Sequence, residues 1–102
     1  MVGKLRQGYI LKLENIKYPV LVVSNDTFNS ISNQVIACPI LSNETENALH
    51  IRIMTTDISG VVICEQLRLF DLSVRGYKKI GELQLSETAN ISDAVQSIFD
   101  YL

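Results

Sequence analysis

The chain has 102 residues, of which 47% are hydrophobic and 20% are charged, and its formal net charge is −2. This composition is typical of a globular protein, and the length favours one domain spanning residues 1–102. The small negative charge excludes a global basic field, so nucleic acid could be bound only by a local patch. No apolar run approaches the ~20 residues that cross a membrane, and the N-terminus lacks a secretion signal. We therefore expect a cytoplasmic protein without membrane contact.

Six segments have the composition and alternation of β-strands, and polar loops separate them. In chain order they are residues 8–13, 19–26, 35–41, 48–54, 61–70 and 77–85. The second segment is β-branched and apolar almost throughout, which predicts a central strand. Pro39 indicates a sheet edge or a β-bulge in the third, because proline cannot donate a ladder hydrogen bond. Residues 25–34 are rich in Asn and Ser and predict a loop or one short helical turn.

The periodicity changes after the sixth strand. Side chains at a spacing of three or four residues then follow one face of an α-helix. They are Thr88, Ile91, Val95, Ile98 and Leu102. Ser86 can cap this helix, which we predict over roughly residues 87–101. Six short strands and one terminal helix predict a mainly β fold of the α+β class: a small antiparallel barrel or a strongly twisted sheet, with the helix across one opening or face.

The sequence contains two cysteines and one histidine. Cys38 and Cys64 both lie in apolar strand segments, and we interpret them as small buried side chains. His50 alternates with the apolar residues of its strand, and we interpret it as an ordinary surface or dimer residue in preference to a general acid. These dispersed residues lack the spacing of a metal site, so we expect no metal and no other cofactor.

A carboxylate interrupts the most strand-like segment, residues 60–71. Four apolar side chains would share one side of this extended chain: Val61, Ile63, Leu67 and Leu69. Glu65 would stand in the middle of their row. A partly buried carboxylate in a groove has a raised pKa and can act as a general acid or base. Two structural explanations compete with this one: a β-bulge that turns Glu65 to solvent, and a buried ion pair with Arg52 or Arg68.

Three stretches followed by a closing helix resemble the MazF/PemK family of bacterial toxins. They are YPVLVVSND at 18–26, VIACPIL at 35–41 and GVVICEQLRLFDLSVRGYKKIGEL at 60–83. The resemblance covers the chain from about residue 6 onward. It implies an SH3-like barrel or twisted sheet, a homodimer, and the toxin of a type II toxin–antitoxin module whose antitoxin wraps a tail across it. It also implies an endoribonuclease that cuts single-stranded RNA at short sequences without a metal, through attack of the 2′-hydroxyl on the adjacent phosphate.

The resemblance also implies a catalytic set. The family's acidic residue matches Glu65, which Gln66 follows. Tyr18 stands where the family has an arginine, and Lys17 is the nearest cation. Leu41 stands where the family has a hydroxyl residue, and Ser42 is the nearest hydroxyl. The catalytic candidates are therefore Glu65, Lys17 and Ser42.

A local basic stretch, residues 66–81, carries a net charge of +3 and an aromatic side chain. Its candidate contacts to RNA or antitoxin are Gln66, Arg68, Arg75, Tyr77, Lys78 and Lys79. The cations can bind phosphates, and the tyrosine offers a stacking surface for a base. One interpretation makes this stretch a wall of an RNA groove, and the other makes it a solvated hairpin tip.

A second resemblance leaves other functions open. The stretch MTTDISGVV, residues 54–62, and the short first loop are similar to the CcdB toxins, which share this fold and act on DNA gyrase. Those toxins end in Trp-Gly-Ile, whereas this chain ends in Asp100, Tyr101 and Leu102. The function is thus a ribonuclease toxin, a DNA-gyrase poison, or a catalytically degenerate module that binds antitoxin or nucleic acid.

Overall fold

The computed structural model describes residues 5–100. Within them, seven strands form an antiparallel, twisted sheet, with one short helix between strands and a longer helix at the C-terminal end. The elements are β1 (Tyr9–Leu13), β2 (Val20–Val22), α1 (Asp26–Ser32), β3 (Gln34–Leu41), β4 (His50–Met54), β5 (Ser59–Ile63), β6 (Arg68–Asp71), β7 (Tyr77–Glu82) and α2 (Leu85–Ser97). The predicted fold class, a mainly antiparallel sheet closed by a terminal helix, is confirmed. None of the helices described is long and apolar enough to cross a membrane.

The strands follow the order β4-β5-β3-β2-β1-β7, and β6 pairs with β3 beside β5. The prediction of an edge or a bulge at Pro39 is wrong, because β3 is central. On one side β3 pairs with β6 through residue 37 and with β5 from residue 40. The N–H of Ile40 donates to the Pro19 carbonyl on the β2 side (2.9 Å), and strand neighbours point in alternate directions. The missing N–H of Pro39 therefore faces the gap where the partner changes from β6 to β5.

The prediction of one strand over residues 61–70 is wrong as well. β5 and β6 divide this segment, and residues 64–67 connect them. The N–H of Gln66 donates to the Ile63 carbonyl (3.1 Å), which turns the chain immediately after β5. Glu65 thus lies in a turn and not in an apolar row, and its side chain is exposed.

Within residues 25–34, for which a loop or one short helical turn was predicted, residues 26–32 form the seven-residue helix α1. Asn25 caps its start, with the side-chain Oδ1 accepting the Phe28 N–H at 2.8 Å. Asn33 ends it in the left-handed conformation, with φ of 55°. Asn29 is buried, and its amide donates to the carbonyls of Leu5 and Ser24, each at 3.1 Å. These asparagines therefore stabilise a helix that their composition alone does not predict.

Two hydrophobic cores lie on the two faces of the sheet, as the alternation along β2 illustrates: Val20 and Val22 enter the first core, and Leu21 enters the second. The first core contains Leu5, Leu11, Leu13, Ile16, Val20, Val22, Val35, Ala37 and Phe70. The second contains Ile10, Leu21, Cys38, Ile40, Ile53, Val62, Cys64, Leu83 and Ile91. Cys38 and Cys64 are buried and not disulfide-bonded, which confirms their interpretation as core side chains.

Helix α2 covers the second core. It begins two residues before the predicted start, because the N–H and the hydroxyl of Thr88 both donate to the Gln84 carbonyl (3.0 Å each). Gln84, not Ser86, is the N-cap residue, and the helix ends at Ser97. The last position of the predicted helix, residue 101, and the last residue of its apolar stripe, Leu102, lie outside the described residues.

Truncating Ile91 to alanine should lower the free energy of unfolding by about 2–5 kcal/mol, because this side chain is 1% exposed between α2 and the sheet. Ile98→Ala is the matched control. Ile98 is 39% exposed at the end of the same helix, so its truncation should cost less than about 1 kcal/mol. Urea unfolding at one fixed protein concentration measures both. Equal losses would contradict the packing of α2 on this core.

Candidate functional site

The connection between β5 and β6, residues 64–67, positions the site. Cys64 is buried in the second core, and its N–H donates to the Leu49 carbonyl (2.9 Å). This bond ties the start of the connection to the start of β4. Glu65 then contacts a residue of β4, while Gln66 lines a groove over β2 and β3. One short turn therefore presents a carboxylate and an amide on neighbouring surfaces.

Glu65 forms a hydrogen bond with His50, between Oε2 and Nε2 at 2.8 Å. The antiparallel pairing of His50 with Ile63 brings the imidazole to the end of β5, two residues before Glu65. The side chain of His50 is 19% exposed and that of Glu65 is 42% exposed. The pair is therefore reachable from solvent. The predicted alternative partners do not bind Glu65: Arg52 pairs with Glu46 at 2.8 Å, and Arg68 lies in the groove.

The hydrogen bond changes the protonation of both groups. The Glu65 carboxylate raises the pKa of His50 above its ordinary value of 6.5. In turn, the hydrogen bond from His50 lowers the pKa of Glu65 below its ordinary value of 4.5. The hydrogen bond therefore favours an ionised Glu65 facing a protonated His50, which is a suitable combination for moving protons to and from a substrate.

A groove runs beside this pair over β2, β3 and β6. Its lining residues are Tyr18, Val20, Ala37, Pro39, Gln66, Leu67, Arg68 and Phe70. Val20 and Ala37 form a buried apolar floor, whereas Gln66 and Arg68 are exposed polar walls. An apolar floor with an aromatic ring, an amide and a guanidinium around it fits a nucleobase and its phosphate.

Two arginines gather around one ring at the groove. The guanidinium carbons of Arg68 and Arg75 lie 4.9 and 5.6 Å from the centre of the Phe70 ring. Arg75 also donates from Nη1 to the Glu14 carbonyl at 2.7 Å. Among residues 5–100 no carboxylate forms an ion pair with either arginine. Their positive charges are therefore available to an anionic ligand.

The other predicted contacts of the basic stretch lie on β7. Lys79 Nζ is 4.0 Å from the centre of the Tyr9 ring and pairs with Glu82 at 2.6 Å, which raises the pKa of the lysine. Tyr77 and Lys78 are exposed on the same strand. The structure thus brings Gln66 and Arg68 together in the groove with Arg75 close by, and it places Lys79 in a separate cluster with Tyr9.

The family follows from a comparison with known proteins. The model of the PemK-like, MazF-like toxins of type II toxin–antitoxin systems matches residues 12–99. The chain belongs to this toxin family. The family resemblance found in the sequence is thereby confirmed. No curated protein sequence matches the chain.

Solved structures share the PemK/MazF fold of this chain. A chain of the MazE–MazF complex from Deinococcus radiodurans is 22% identical, with a TM-score of 0.83 and 97% of each chain covered. An endoribonuclease in complex with its cognate antitoxin, from a mycobacterial species, is 17% identical, with a TM-score of 0.80 and coverage of 93% of this chain and 94% of that one. A MazF toxin from Mycobacterium tuberculosis is 18% identical, with a TM-score of 0.73 and coverage of 92% and 99%. These likenesses show the fold.

The predicted catalytic candidates do not meet within this PemK/MazF fold. Lys17 is exposed and precedes Tyr18, which lines the groove. Ser42 is exposed after β3, whose residue 41 pairs with residue 61 near the start of β5. Glu65 follows the other end of β5, so most of that strand separates it from Ser42. The residue that the structure does bring to Glu65 is His50, for which the sequence pattern predicted an ordinary surface or dimer residue.

The pairing of β4 with β5 is the signal that could have identified His50. Two neighbouring strand patterns joined by the short turn TTDISG predict an antiparallel hairpin. In such a hairpin the start of β4 lies opposite the end of β5, and Glu65 comes just after that end.

Within residues 5–100, no three His, Cys, Asp or Glu side chains are grouped closely enough to hold a metal ion.

Proposed function

We propose that this chain is the toxin of a type II toxin–antitoxin module in the cytoplasm, and that it cleaves single-stranded RNA with Glu65 and His50 as the proton-transfer pair. The observation that carries this proposal is the 2.8 Å hydrogen bond between an accessible carboxylate and an imidazole, next to a groove that contains Arg68. Family membership supports the toxin class. A structurally similar mycobacterial chain is described as an endoribonuclease.

The pair can perform transesterification without a metal. The proton of the ribose 2′-hydroxyl passes to Oε1 of Glu65, the carboxylate oxygen that does not contact His50. The 2′-oxygen forms a bond to the adjacent phosphorus, and the bond from phosphorus to the 5′-oxygen breaks. The His50 imidazolium gives its Nε2 proton to that departing oxygen. Glu65 then returns its proton to Nε2, which leaves a cyclic phosphate, a 5′-hydroxyl and a restored pair.

The groove supplies binding for the rest of the substrate. Arg68 stabilises the charge that grows on the phosphate oxygens, and Arg75 adds a second positive charge nearby. Tyr18 offers its ring for stacking with an unpaired base, and Gln66 can donate to or accept from a base edge. In this arrangement His50 is the catalytic partner of Glu65, in place of the sequence candidates Lys17 and Ser42. Lys17 then serves as a phosphate contact beside Tyr18.

The deciding experiment assays RNA cleavage and DNA gyrase side by side. With a chelator present, the purified protein should cut single-stranded RNA and leave cyclic phosphate ends, and it should not affect supercoiling by gyrase. Its expression alone should slow bacterial growth. Inhibited supercoiling without RNA cleavage would instead establish a gyrase poison. Absence of both effects, with normal growth at high soluble expression, would establish a module that only binds antitoxin or nucleic acid.

Arg68→Ala should weaken the binding of single-stranded RNA and lower the dependence of log Kd on log salt by about 0.7, the value for one lost phosphate contact. Arg6→Ala is the matched control, because Arg6 is an exposed arginine that lies 4.0 Å from Asp26 near α1, away from the groove. Fluorescence anisotropy at several salt concentrations measures both, with Glu65→Gln added to each protein so that RNA cleavage is slow during the measurement. An unchanged salt dependence for Arg68→Ala would show that Arg68 does not contact a phosphate of the RNA.

We also propose two protein partners. A similar mycobacterial chain forms a complex with its cognate antitoxin. An antitoxin with an acidic segment would occupy the groove of Arg68 and Arg75 through opposite charge. A second copy of the chain would cover part of the exposed apolar surface. The apolar side chains that are more than half exposed are Ile31, Met54, Leu69, Val74, Leu85 and Phe99. Light scattering at micromolar concentration should give the mass of two chains. A monomeric mass would contradict the homodimer. Growth arrest that a co-expressed antitoxin does not relieve would contradict the antitoxin partner.

A further inference from the structure

The imidazole of His50 is held at its second nitrogen as well as at the nitrogen that faces Glu65. Nδ1 lies 3.2 Å from the Thr45 carbonyl oxygen and 3.3 Å from Nδ2 of Asn47. These two partners require opposite protonation states of Nδ1. A carbonyl only accepts, so it requires a proton on Nδ1, whereas an amide NH₂ only donates, so it requires Nδ1 without a proton.

The backbone fixes the orientation of the Asn47 amide. Its Oδ1 accepts the N–H of Leu49 at 2.9 Å and the N–H of His50 at 3.0 Å. The backbones of Asn47 and His50 also pair in both directions, at 3.1 and 3.2 Å. A flipped amide would place its NH₂ against two N–H donors. The donor end of Asn47 must therefore face the ring.

We propose that Asn47 is a positioning residue that sets where His50 carries its proton. When the ring is neutral, Asn47 Nδ2 donates to a bare Nδ1, and the remaining proton stays on Nε2 toward Glu65. When the ring is charged, the added proton is on Nδ1 and is donated to the Thr45 carbonyl. The catalytic meaning of this arrangement rests on the proposed function, but the position of the proton is a property of the folded chain alone.

This arrangement keeps the ring in one place through its titration. In both states Nε2–H donates to Glu65, and only the bond at Nδ1 changes partner. Two carboxylates, Glu65 and Glu44, act on the imidazole and both favour the charged form. Farther along β4, Arg52 is paired with Glu46 at 2.8 Å. The donor of Asn47 and the partial burial of the ring both favour the neutral form.

Nuclear magnetic resonance can test this directly, because the chain has a single histidine and its imidazole signals need no assignment. Above the pKa of His50, ¹⁵N shifts of the wild-type protein should show the tautomer protonated on Nε2. A wild-type ring protonated on Nδ1 would overturn the proposal without any variant.

Asn47→Asp sharpens the test. The aspartate keeps an oxygen for the two backbone N–H groups but replaces the donor at Nδ1 with an acceptor. We expect the neutral ring to shift toward protonation on Nδ1, and the proton affinity of His50 to increase about tenfold or more. Asn43→Asp adds the same charge to the same exposed loop and should change the tautomer little. Identical tautomers and titrations in the wild type and Asn47→Asp would overturn the proposal.

The activity of the same proteins separates this inference from the proposed function. If the wild type cleaves RNA, the alkaline limb of kcat/KM should move to higher pH in Asn47→Asp together with the titration of His50. A limb that stays in place while the titration moves would show that Asn47 does not act through His50 in catalysis. If the tautomers behave as expected but the wild type does not cleave RNA, the positioning role stands and the proposed ribonuclease function fails.

Discussion

Glu65→Gln should cleave single-stranded RNA about 10²–10⁴-fold more slowly than the wild type, the usual cost of losing a general acid–base group. Glutamine keeps the shape of the side chain and can still accept a hydrogen bond from His50, but it cannot take a proton from a 2′-hydroxyl near neutral pH. The loss should appear in kcat, because the groove that binds the RNA is unchanged. Single-turnover cleavage of an RNA oligonucleotide measures it.

Folding should change little in Glu65→Gln, because the carboxylate is 42% exposed and its ion pair is weakened by solvent. Asp57→Asn is the matched control: it removes one negative charge from the exposed turn between β4 and β5, at the end of the hairpin opposite Glu65, and should cleave RNA like the wild type. A large drop in thermal stability for Glu65→Gln would indicate a structural ion pair. Full cleavage by a well-folded Glu65→Gln protein would show that Glu65 is not a catalytic residue.

The strands and the terminal helix were predictable because their signals are local. Alternation of apolar residues predicts β1 and β4, a run of apolar residues predicts β3, and the helical spacing of Thr88 and Ile91 predicts α2. The same rule fails at residues 64–67. Cys64 and Leu67 both pack into the second core, so the apolar pattern continues through the turn and hides the break between β5 and β6. The packing of Cys64 and Leu67 into the core therefore produces the apolar pattern of a strand in a segment whose backbone is not extended.

The contact between His50 and Glu65 depends on long-range pairing and could not be found by inspecting either segment alone. It requires the register of β4 against β5 and also the turn that lifts Glu65 out of the sheet. The distribution of the basic residues has a similar origin. Arg68 and Lys79 are close in sequence, but β6 pairs with β3 whereas β7 pairs with β1. Charge counted along the chain thus overestimates the charge in the groove.

The pair should also make stability depend on pH, in a direction that follows from the two pKa shifts. The raised pKa of His50 means that its contribution is fully present below 6.5 and is lost as pH rises through the folded-state pKa. The lowered pKa of Glu65 means that its contribution is present above 4.5 and is lost as pH falls through its folded-state pKa. The pair therefore supports the fold most between these two ordinary values, and only modestly because it is exposed.

The pH range of cleavage should be wider than the pH range in which the pair stabilises the fold most, because cleavage needs Glu65 ionised and His50 charged in the folded protein. We expect kcat/KM to have an acid limb below 4.5 from Glu65 and an alkaline limb above 6.5 from His50, in the directions of their shifted pKa values.

His50→Gln should remove the alkaline limb, because glutamine does not titrate in this range, and it should slow cleavage about 10²–10⁴-fold. The acid limb should move upward toward 4.5 in this variant, because the hydrogen bond from His50 is the largest cause of the lowered pKa of Glu65. Cleavage rates under single-turnover conditions between pH 4 and 9 measure both limbs at constant ionic strength. An alkaline limb that persists in His50→Gln would assign it to another group, and the leaving oxygen would then take its proton from a source other than His50.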